Sequence, residues 1–203
     1  MTRSKMLFAS ASFLASALFA AGAGAAPLSV VNVGAPAVNC VFNVTCTEIV
    51  TDSVGNFAVP GAIGVARLQS RTSPGIPPAP AGGKMDYEYR VDLTSTSATT
   101  ASNCVTKMQI AFGPVVKEPY PPGPLRDIYV VTSGGLGSVA VATASQSGSV
   151  ITFNFGDPTT PGICAGATGY FFGLTSAKTH PVMAKARIFF SLGGSLLVPV
   201  RIP

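Results

Sequence analysis

The amino-acid sequence predicts an all-β protein, and three features support this class. Only 10% of the 203 residues are charged, whereas helix-rich surfaces need more Lys and Glu than that. The chain also holds 22 Gly and 17 Pro, a composition typical of short strands joined by turns. The third feature is an alternation of apolar and charged residues with a period of two, which is the pattern of a β-strand.

The clearest strand covers residues 84–93, where odd positions are apolar or aromatic and even positions are charged. Because successive side chains of a strand point to opposite faces, this pattern predicts one buried face and one solvated face. Weaker alternation and Val-, Ile- and aromatic-rich runs predict further strands. These runs are 41–50, 57–68, 108–112, 128–132, 139–143, 151–155, 170–174, 187–192 and 196–202.

About nine or ten short strands favour a single antiparallel β-sandwich, either immunoglobulin-like or jelly-roll. We expect one domain over residues 26–203, because the stretch before residue 71 is too short to form a stable core alone. Two proline-rich stretches, 71–83 and 113–124, are predicted to be loops. Proline has no amide hydrogen to donate to a central strand, so these stretches belong in loops or at sheet edges.

Residues 1–25 have the features of a secretory signal peptide. Arg3 and Lys5 precede an uncharged run over 7–21, and Ala23, Gly24 and Ala25 supply the small residues of a cleavage site. The apolar run is shorter than the roughly 20 residues that a membrane-spanning helix needs. The sequence therefore predicts a secreted or periplasmic protein with no membrane span in the mature chain.

All four cysteines lie in the predicted mature chain, and an even number in an exported protein indicates two disulfides. Three pairings are possible. We favour Cys40–Cys46 and Cys104–Cys164, because close neighbours in sequence meet most easily. A metal site is disfavoured because His180 is the only histidine. No cofactor motif is found.

Basic residues are scattered along the chain, and the sequence has no Trp and no basic and aromatic stripe. With the predicted leader removed, the balance of charge is weakly positive. These features give little support to a nucleic-acid-binding surface, so we expect no nucleic-acid partner.

Asp86, Glu88 and Asp92 share one face of the predicted strand. Asp86 and Glu88 are the candidate catalytic pair. Successive residues on one face lie about 7 Å apart, a separation at which two carboxyl groups can flank a glycosidic bond. The simpler interpretation is a solvated face on which Lys84 and Arg90 alternate with the acids.

Other candidate sites are individual residues or short turns. Tyr120 lies between prolines, which is compatible with an exposed aromatic contact for a glycan or a protein partner and equally with packing of the loop. His180 precedes Pro181 and is predicted to lie in an exposed turn. The glycine-rich stretch 133–138 lacks the Lys and the following helix of a phosphate-binding loop, so we interpret it as a tight connection between strands.

The segment from Ile163 and Cys164 through Tyr170, Phe171, Phe172, Gly173, Leu174, Thr175 and Ser176 resembles a stretch near the carboxyl end of uncharacterised bacterial exported proteins. These proteins are expected to be β-rich. The resemblance implies a bacterial exported β-protein and assigns no site residue.

Two functions are compatible with these features. The first is a non-enzymatic exported protein, either a surface or matrix component that self-associates through strand edges or a module that binds a glycan or another exported protein. The alternative is a glycan-active hydrolase using Asp86 and Glu88.

Overall fold

The structure, a computed structural model, describes residues 24–99, 103–156 and 161–203. The predicted signal peptide, residues 1–25, lies outside these ranges except for its last two positions. The described residues form fourteen strands and one helix. In chain order these are β1 Ala26–Leu28, β2 Val30–Gly34, α1 Ala35–Phe42, β3 Thr51–Phe57, β4 Ala62–Gly64, β5 Ala66–Pro74, β6 Met85–Asp92, β7 Thr96–Ala98, β8 Val105–Ala111, β9 Ile128–Ser133, β10 Val141–Ser147, β11 Val150–Phe155, β12 Phe172–Ser176, β13 Val182–Phe190 and β14 Ser195–Ile202.

The all-β class is confirmed, but the predicted single antiparallel sandwich of nine or ten strands is wrong. The described strands form three sheets: sheet A in the order β1-β10-β11-β8-β13-β14, sheet B in the order β2-β9-β12-β6-β5-β3, and the pair β4-β7. In addition, β2 runs parallel to β9. Several strands are only three residues long, too short for any periodicity to be visible in the sequence.

The parallel pair arises where the chain crosses from sheet A to sheet B at Ser29, between β1 and β2. Its backbone N and its Oγ both donate to Asp127 Oδ2, at 2.8 and 2.6 Å. Asp127 lies directly before β9, so this contact places β2 beside that strand. Ser29 and Asp127 are far apart in sequence, so no local pattern in the sequence indicates this contact.

The two six-stranded sheets enclose the main hydrophobic core. Tyr89 and Phe172 of sheet B pack on Phe153 of sheet A, with ring centroids 6.5 and 4.8 Å apart. The predicted inward-facing positions of β8 and β11 are confirmed, since Met108, Ile110, Ile151 and Phe153 are all buried. Tyr87 and Tyr89 are buried in this core as well.

One edge of sheet A lies against sheet B. A Cβ atom added to Gly55 of β3 would lie 2.6 Å from the carbonyl oxygen of Pro199 in β14. Arg201 of β14 donates its backbone N–H to Ser70 Oγ, and its carbonyl accepts a hydrogen bond from Tyr89 Oη. Side chains of sheet B therefore satisfy part of the β14 edge.

The predicted strand over 41–50 is wrong, because its first residues belong to helix α1. Gly34 is the N-cap and Pro36 lies in the first turn, where proline is tolerated because its missing N–H would be unsatisfied anyway. Val38, Val41 and Phe42 are the buried residues of α1. They pack in a second hydrophobic cluster, with Tyr129 and Val131 of sheet B among its other members.

The predicted loop at 71–83 is partly wrong. Residues 71–74 belong to β5. The pairing of β5 with β3 ends at Thr72, so Pro74 pairs only with β6. Its missing amide hydrogen is therefore not needed on the β3 side. The stretch 113–124 lies outside the named strands; Val116 bridges to Thr175 of β12, and Glu118 bridges to Arg126 just beyond the stretch.

Both disulfides have the pairing favoured from the spacing, Cys40–Cys46 and Cys104–Cys164. The first joins α1 to the loop that follows it, and the second joins the start of β8 to the segment before β12. Two disulfides are typical of a protein that folds outside the cytoplasm. Within the described ranges, no helix has both the length and the hydropathy needed to cross a membrane.

Candidate functional site

The part of the charged face of β6 formed by Asp86 and Glu88 is buried, so the prediction of a solvated face is wrong for these two acids. Asp86 is 1% exposed and Glu88 is 5% exposed. The reason is that α1 lies over this side of sheet B, and Asn39 and Phe42 of the helix line a recess with the two acids. The alternating pattern correctly separated the two faces of the strand, but the polar face meets a helix instead of water.

Tyr129 reaches both acids across a neighbouring strand. Gly173 of β12 pairs with Tyr129 of β9 on one side and with Glu88 of β6 on the other. A Cβ atom at Gly173 would lie 2.4 Å from the end of the Tyr129 ring. The glycine thus allows the ring to lie across β12, so that its hydroxyl reaches the next strand.

The Tyr129 hydroxyl lies between the two carboxyl groups. Its oxygen is 2.7 Å from Asp86 Oδ2 and 2.8 Å from Glu88 Oε1. A phenol has only one proton to donate. A full hydrogen bond at both contacts therefore requires one carboxyl group to keep its own proton and to donate it to the phenol oxygen. Asp86 and Glu88 together then hold one proton and one negative charge.

Burial agrees with this sharing of a proton. It raises the pKa of Asp86 well above its usual value, and the charge of Glu88 raises it further. Burial, followed by the charge of Glu48, raises the pKa of Glu88 to about 7. Burial also raises the pKa of Tyr129, so its hydroxyl remains a donor at neutral pH.

Replacing Gly173 with Ala should destabilise the protein by about 1–3 kcal/mol, the usual cost of overpacking a buried site. The new methyl group would push Tyr129 away from the carboxyl groups that it connects. Urea unfolding followed by circular dichroism measures the loss. A free energy of unfolding equal to that of the wild-type protein would show that the Tyr129 ring does not need the space left by Gly173.

Arg71 connects the buried acids to the surface. Its Nη1 lies 3.1 Å from Glu48 Oε1 and 3.2 Å from Glu88 Oε2. Its guanidinium also lies over the Phe171 ring, 5.0 Å from the centroid, and that of Arg90 lies over the same ring at 4.8 Å. These contacts hold a row of charges beside one aromatic side chain.

A cavity of about 210 Å³ opens at this row of charges. One side is apolar, formed by Val38, Val131, Leu136 and Phe171, whereas Arg71, Glu48 and Glu88 supply charge; Ala35, Asn39, Gly134 and Gly135 complete the lining. The smaller recess, of about 10 Å³, shares Asn39, Glu48 and Glu88 with this cavity. Asp86, Phe42, Thr47 and Ser73 form the rest of the recess.

Tyr120 is not an exposed contact residue. It is fully buried, in the same hydrophobic cluster as α1. Its hydroxyl lies 2.7 Å from Thr175 Oγ1, and its ring centroid is 4.9 Å from that of Tyr129. The prolines around Tyr120 therefore shape a segment that folds back onto sheet B, so this side chain cannot contact a partner in this conformation.

The other candidates lie where the sequence predicted. His180 is exposed in the connection between β12 and β13. The glycine-rich stretch 133–138 leads from β9 towards β10, and three of its residues line the cavity.

Sequence reasoning missed three residues of the site: Tyr129, Arg71 and Glu48. Tyr129 lies in a continuous β-rich run, Arg71 at the start of a predicted loop, and Glu48 in a predicted strand. Each comes from a separate part of the chain. Only the tertiary structure brings them to Glu88.

Asp86 and Glu88 do not flank an open space as glycosidase carboxyl groups do. The Tyr129 hydroxyl occupies the position between them, whereas a glycosidase leaves that position to the scissile bond. In the described part of the chain, no group of three or more His, Cys, Asp or Glu residues has the arrangement of a metal site. The arrangement can instead accept hydrogen bonds and hold charge in a partly closed cavity.

Comparisons with known proteins gave no match, whether with protein-family models, curated proteins or solved structures.

Proposed function

We propose that this chain is a non-enzymatic protein exported by the leader at residues 1–25, and that it binds a small ligand, or a side chain or sugar of a larger partner, in the cavity beneath α1. The main observation in support of this proposal is the cavity of about 210 Å³, which has one apolar side and one charged side. Sites for small ligands are typically concave and mostly apolar, with a few well-placed polar groups that fix orientation.

The charged side of the cavity is held rigidly, which supports a binding role. Glu88 is bonded to Tyr129 on one side and to Arg71 on the other. Arg71 is held in turn by Glu48 and by the Phe171 ring. Polar groups that are already ordered lose little conformational entropy when a ligand binds.

Self-association through strand edges has less support. The β14 edge is partly satisfied by Ser70 and Tyr89, and the edge strand β1 has only three residues. Short or covered edges are the features by which proteins avoid edge-to-edge pairing.

The glycan-active hydrolase using Asp86 and Glu88 is also less supported. Asp86 is 1% exposed, and α1 would have to leave before a sugar reached it. A catalytic group has to come within hydrogen-bond reach of its substrate.

A cavity-filling variant tests the proposed binding role. We would express the full chain in an exporting bacterial host and record methyl NMR spectra with a panel of monosaccharides, short peptides and four-carbon alkyl compounds. At least one of these should shift the signals of Val38, Val131 and Leu136. Ala35→Phe should abolish the shifts, because residue 35 lines the cavity.

Val54→Phe is the matched control, because Val54 is exposed on β3 and is not among the residues that line the cavity. It should leave the response unchanged. If no compound shifts these methyl signals while light scattering shows growth into oligomers with concentration, the binding role is wrong and edge pairing is favoured.

A further inference from the structure

We propose that the ligand of this cavity carries a primary ammonium group, which enters the recess at Asp86 while a short aliphatic chain lies against the apolar side. This inference rests on the proposed binding role and specifies the chemistry of the ligand. The matching group is that of an alkylamine or of a lysine side chain. Both present a compact cation on a four-carbon or similar chain.

The recess contains one buried hydrogen-bond acceptor without a partner, beside two further carboxyl groups. Asp86 is 1% exposed, and its Oδ1 has no hydrogen-bond partner among the described residues. Glu48 and Glu88 line the same recess. An ammonium group has three N–H donors and no acceptor, so it complements a set of carboxyl oxygens. A buried acceptor without a partner is costly, and a donor from a ligand would relieve that cost.

The local balance of charge also favours a cation. Asp86 and Glu88 share one proton and so carry one negative charge, and Glu48 carries another. Arg71 supplies one positive charge, while Arg90 pairs with Asp92 at 3.8 Å. The cluster is left with one uncompensated negative charge in a region of low dielectric, where an added cation is strongly attracted.

The size of the recess selects among cations. Its volume of about 10 Å³ is close to the space that one water molecule needs. An ammonium group is compact, whereas a guanidinium is a broad planar fork. Calcium requires about six to eight oxygen ligands, and Arg71 already occupies one oxygen each of Glu48 and Glu88.

The apolar side of the cavity fits an aliphatic chain. Val38 and Val131 are buried, and Leu136 is 63% exposed at the cavity. A chain of a few methylene groups that leaves the recess would lie against these residues, and removing its apolar surface from water would favour binding.

A carboxylate ligand is the competing chemistry, because Arg71 Nε also has no hydrogen-bond partner among the described residues. We would therefore titrate the full chain at pH 7.5 with n-butylammonium, 1-butanol and butyrate, and follow the methyl signals of Val38 and Val131. Butylammonium should bind at least tenfold more tightly than the other two. N-acetyl-lysine methylamide should match it if the natural source is a lysine side chain, and should bind more weakly if it is a free amine.

Asp86→Asn should reduce butylammonium affinity by tenfold or more, because an amide at residue 86 cannot ionise when the cation binds, and it changes the shape of the recess little. Asp52→Asn makes the same chemical change at an exposed position on β3 and should leave the affinity unchanged. Circular dichroism checks the fold, and Glu88→Gln replaces Asp86→Asn if that variant does not fold.

Equal binding of butanol or butyrate would overturn the ammonium inference and leave the binding role standing. A response to CaCl₂ with none to butylammonium would overturn the inference in favour of a metal ion. If none of these probes, and no compound of the wider panel, shifts the cavity methyl signals, both the inference and the binding role are wrong.

Discussion

Removing the Cys104–Cys164 disulfide should destabilise the protein by about 4 kcal/mol, on the chain-entropy model of cross-linking. The two cysteines are 60 residues apart in sequence, so the bond restricts a long loop in the unfolded chain. In the folded chain it lies next to the paired residues Val105 and Ile163, whose backbones exchange hydrogen bonds of 2.8 and 2.9 Å. Urea unfolding of Cys104→Ala/Cys164→Ala at pH 7, followed by circular dichroism, measures the loss.

The Cys40–Cys46 disulfide provides the control. Its cysteines are only 6 residues apart, and the same model gives about 2 kcal/mol for Cys40→Ala/Cys46→Ala. The tenfold difference in loop length thus corresponds to about 2 kcal/mol between the two double variants. Equal losses would mean that native packing around each bond, not restriction of the unfolded chain, determines its contribution.

The strand faces that pack on the main core were predictable from the sequence. Met108 and Ile110 of β8 and Ile151 and Phe153 of β11 alternate with polar residues, and all four are buried. This succeeded because the alternation is local: consecutive side chains of a strand point to opposite faces whatever the topology. The order of strands in each sheet depends on contacts distant in sequence, such as that between Ser29 and Asp127.

The candidate site was only half predictable. Asp86 and Glu88 were recognised as a carboxyl pair on one strand face, and the structure places both on β6. Alternation shows that two faces differ but not that the polar face meets water. The covering helix α1 has only eight residues and contains a proline, so it leaves little helical periodicity in the sequence. Tyr129, Arg71 and Glu48 are joined to the acids only by tertiary contacts.

Tyr120 shows the same limitation for aromatic residues. A tyrosine between prolines is typical of an exposed loop. However, the segment around it is joined to β12 through Val116 and Thr175, and the Tyr120 hydroxyl lies beside the Thr175 hydroxyl. The proline content of such a segment indicates that its backbone is stiff. The path of the segment over the protein depends on which distant groups pair with its polar atoms, and local composition does not show this.

The protein should lose stability as the pH rises from about 4.5 to about 7. Burial and the charge of Glu48 raise the pKa of Glu88 from 4.5 to about 7 in the folded protein. Between these values the folded state binds more protons than the unfolded state, so the free energy of unfolding falls with increasing pH. The shift in pKa corresponds to a loss of about 3 kcal/mol in the free energy of unfolding, and the loss is complete above pH 7. The raised pKa of Asp86 acts in the same direction.

The groups that face Glu88 determine the size of this effect. Glu48 on the loop after α1 disfavours its ionised form, whereas Arg71 on β5 and Tyr129 on β9 favour it. The measurement is urea unfolding of the wild-type protein at pH 5 and at pH 8. A free energy of unfolding that is unchanged or larger at pH 8 would show that the ionised carboxyl groups are better compensated than their burial implies.

Glu88→Gln separates the charge of this residue from its shape. Glutamine can keep a hydrogen bond to Tyr129 but cannot ionise, so the variant should be more stable than wild type at pH 8 and no more stable at pH 5. It gives up the contact of Glu88 with Arg71, which retains Glu48 as a partner. Loss of a packing contact would lower stability equally at both pH values. A gain confined to high pH therefore identifies an uncompensated negative charge beneath α1, the same charge that we expect a cationic ligand to neutralise.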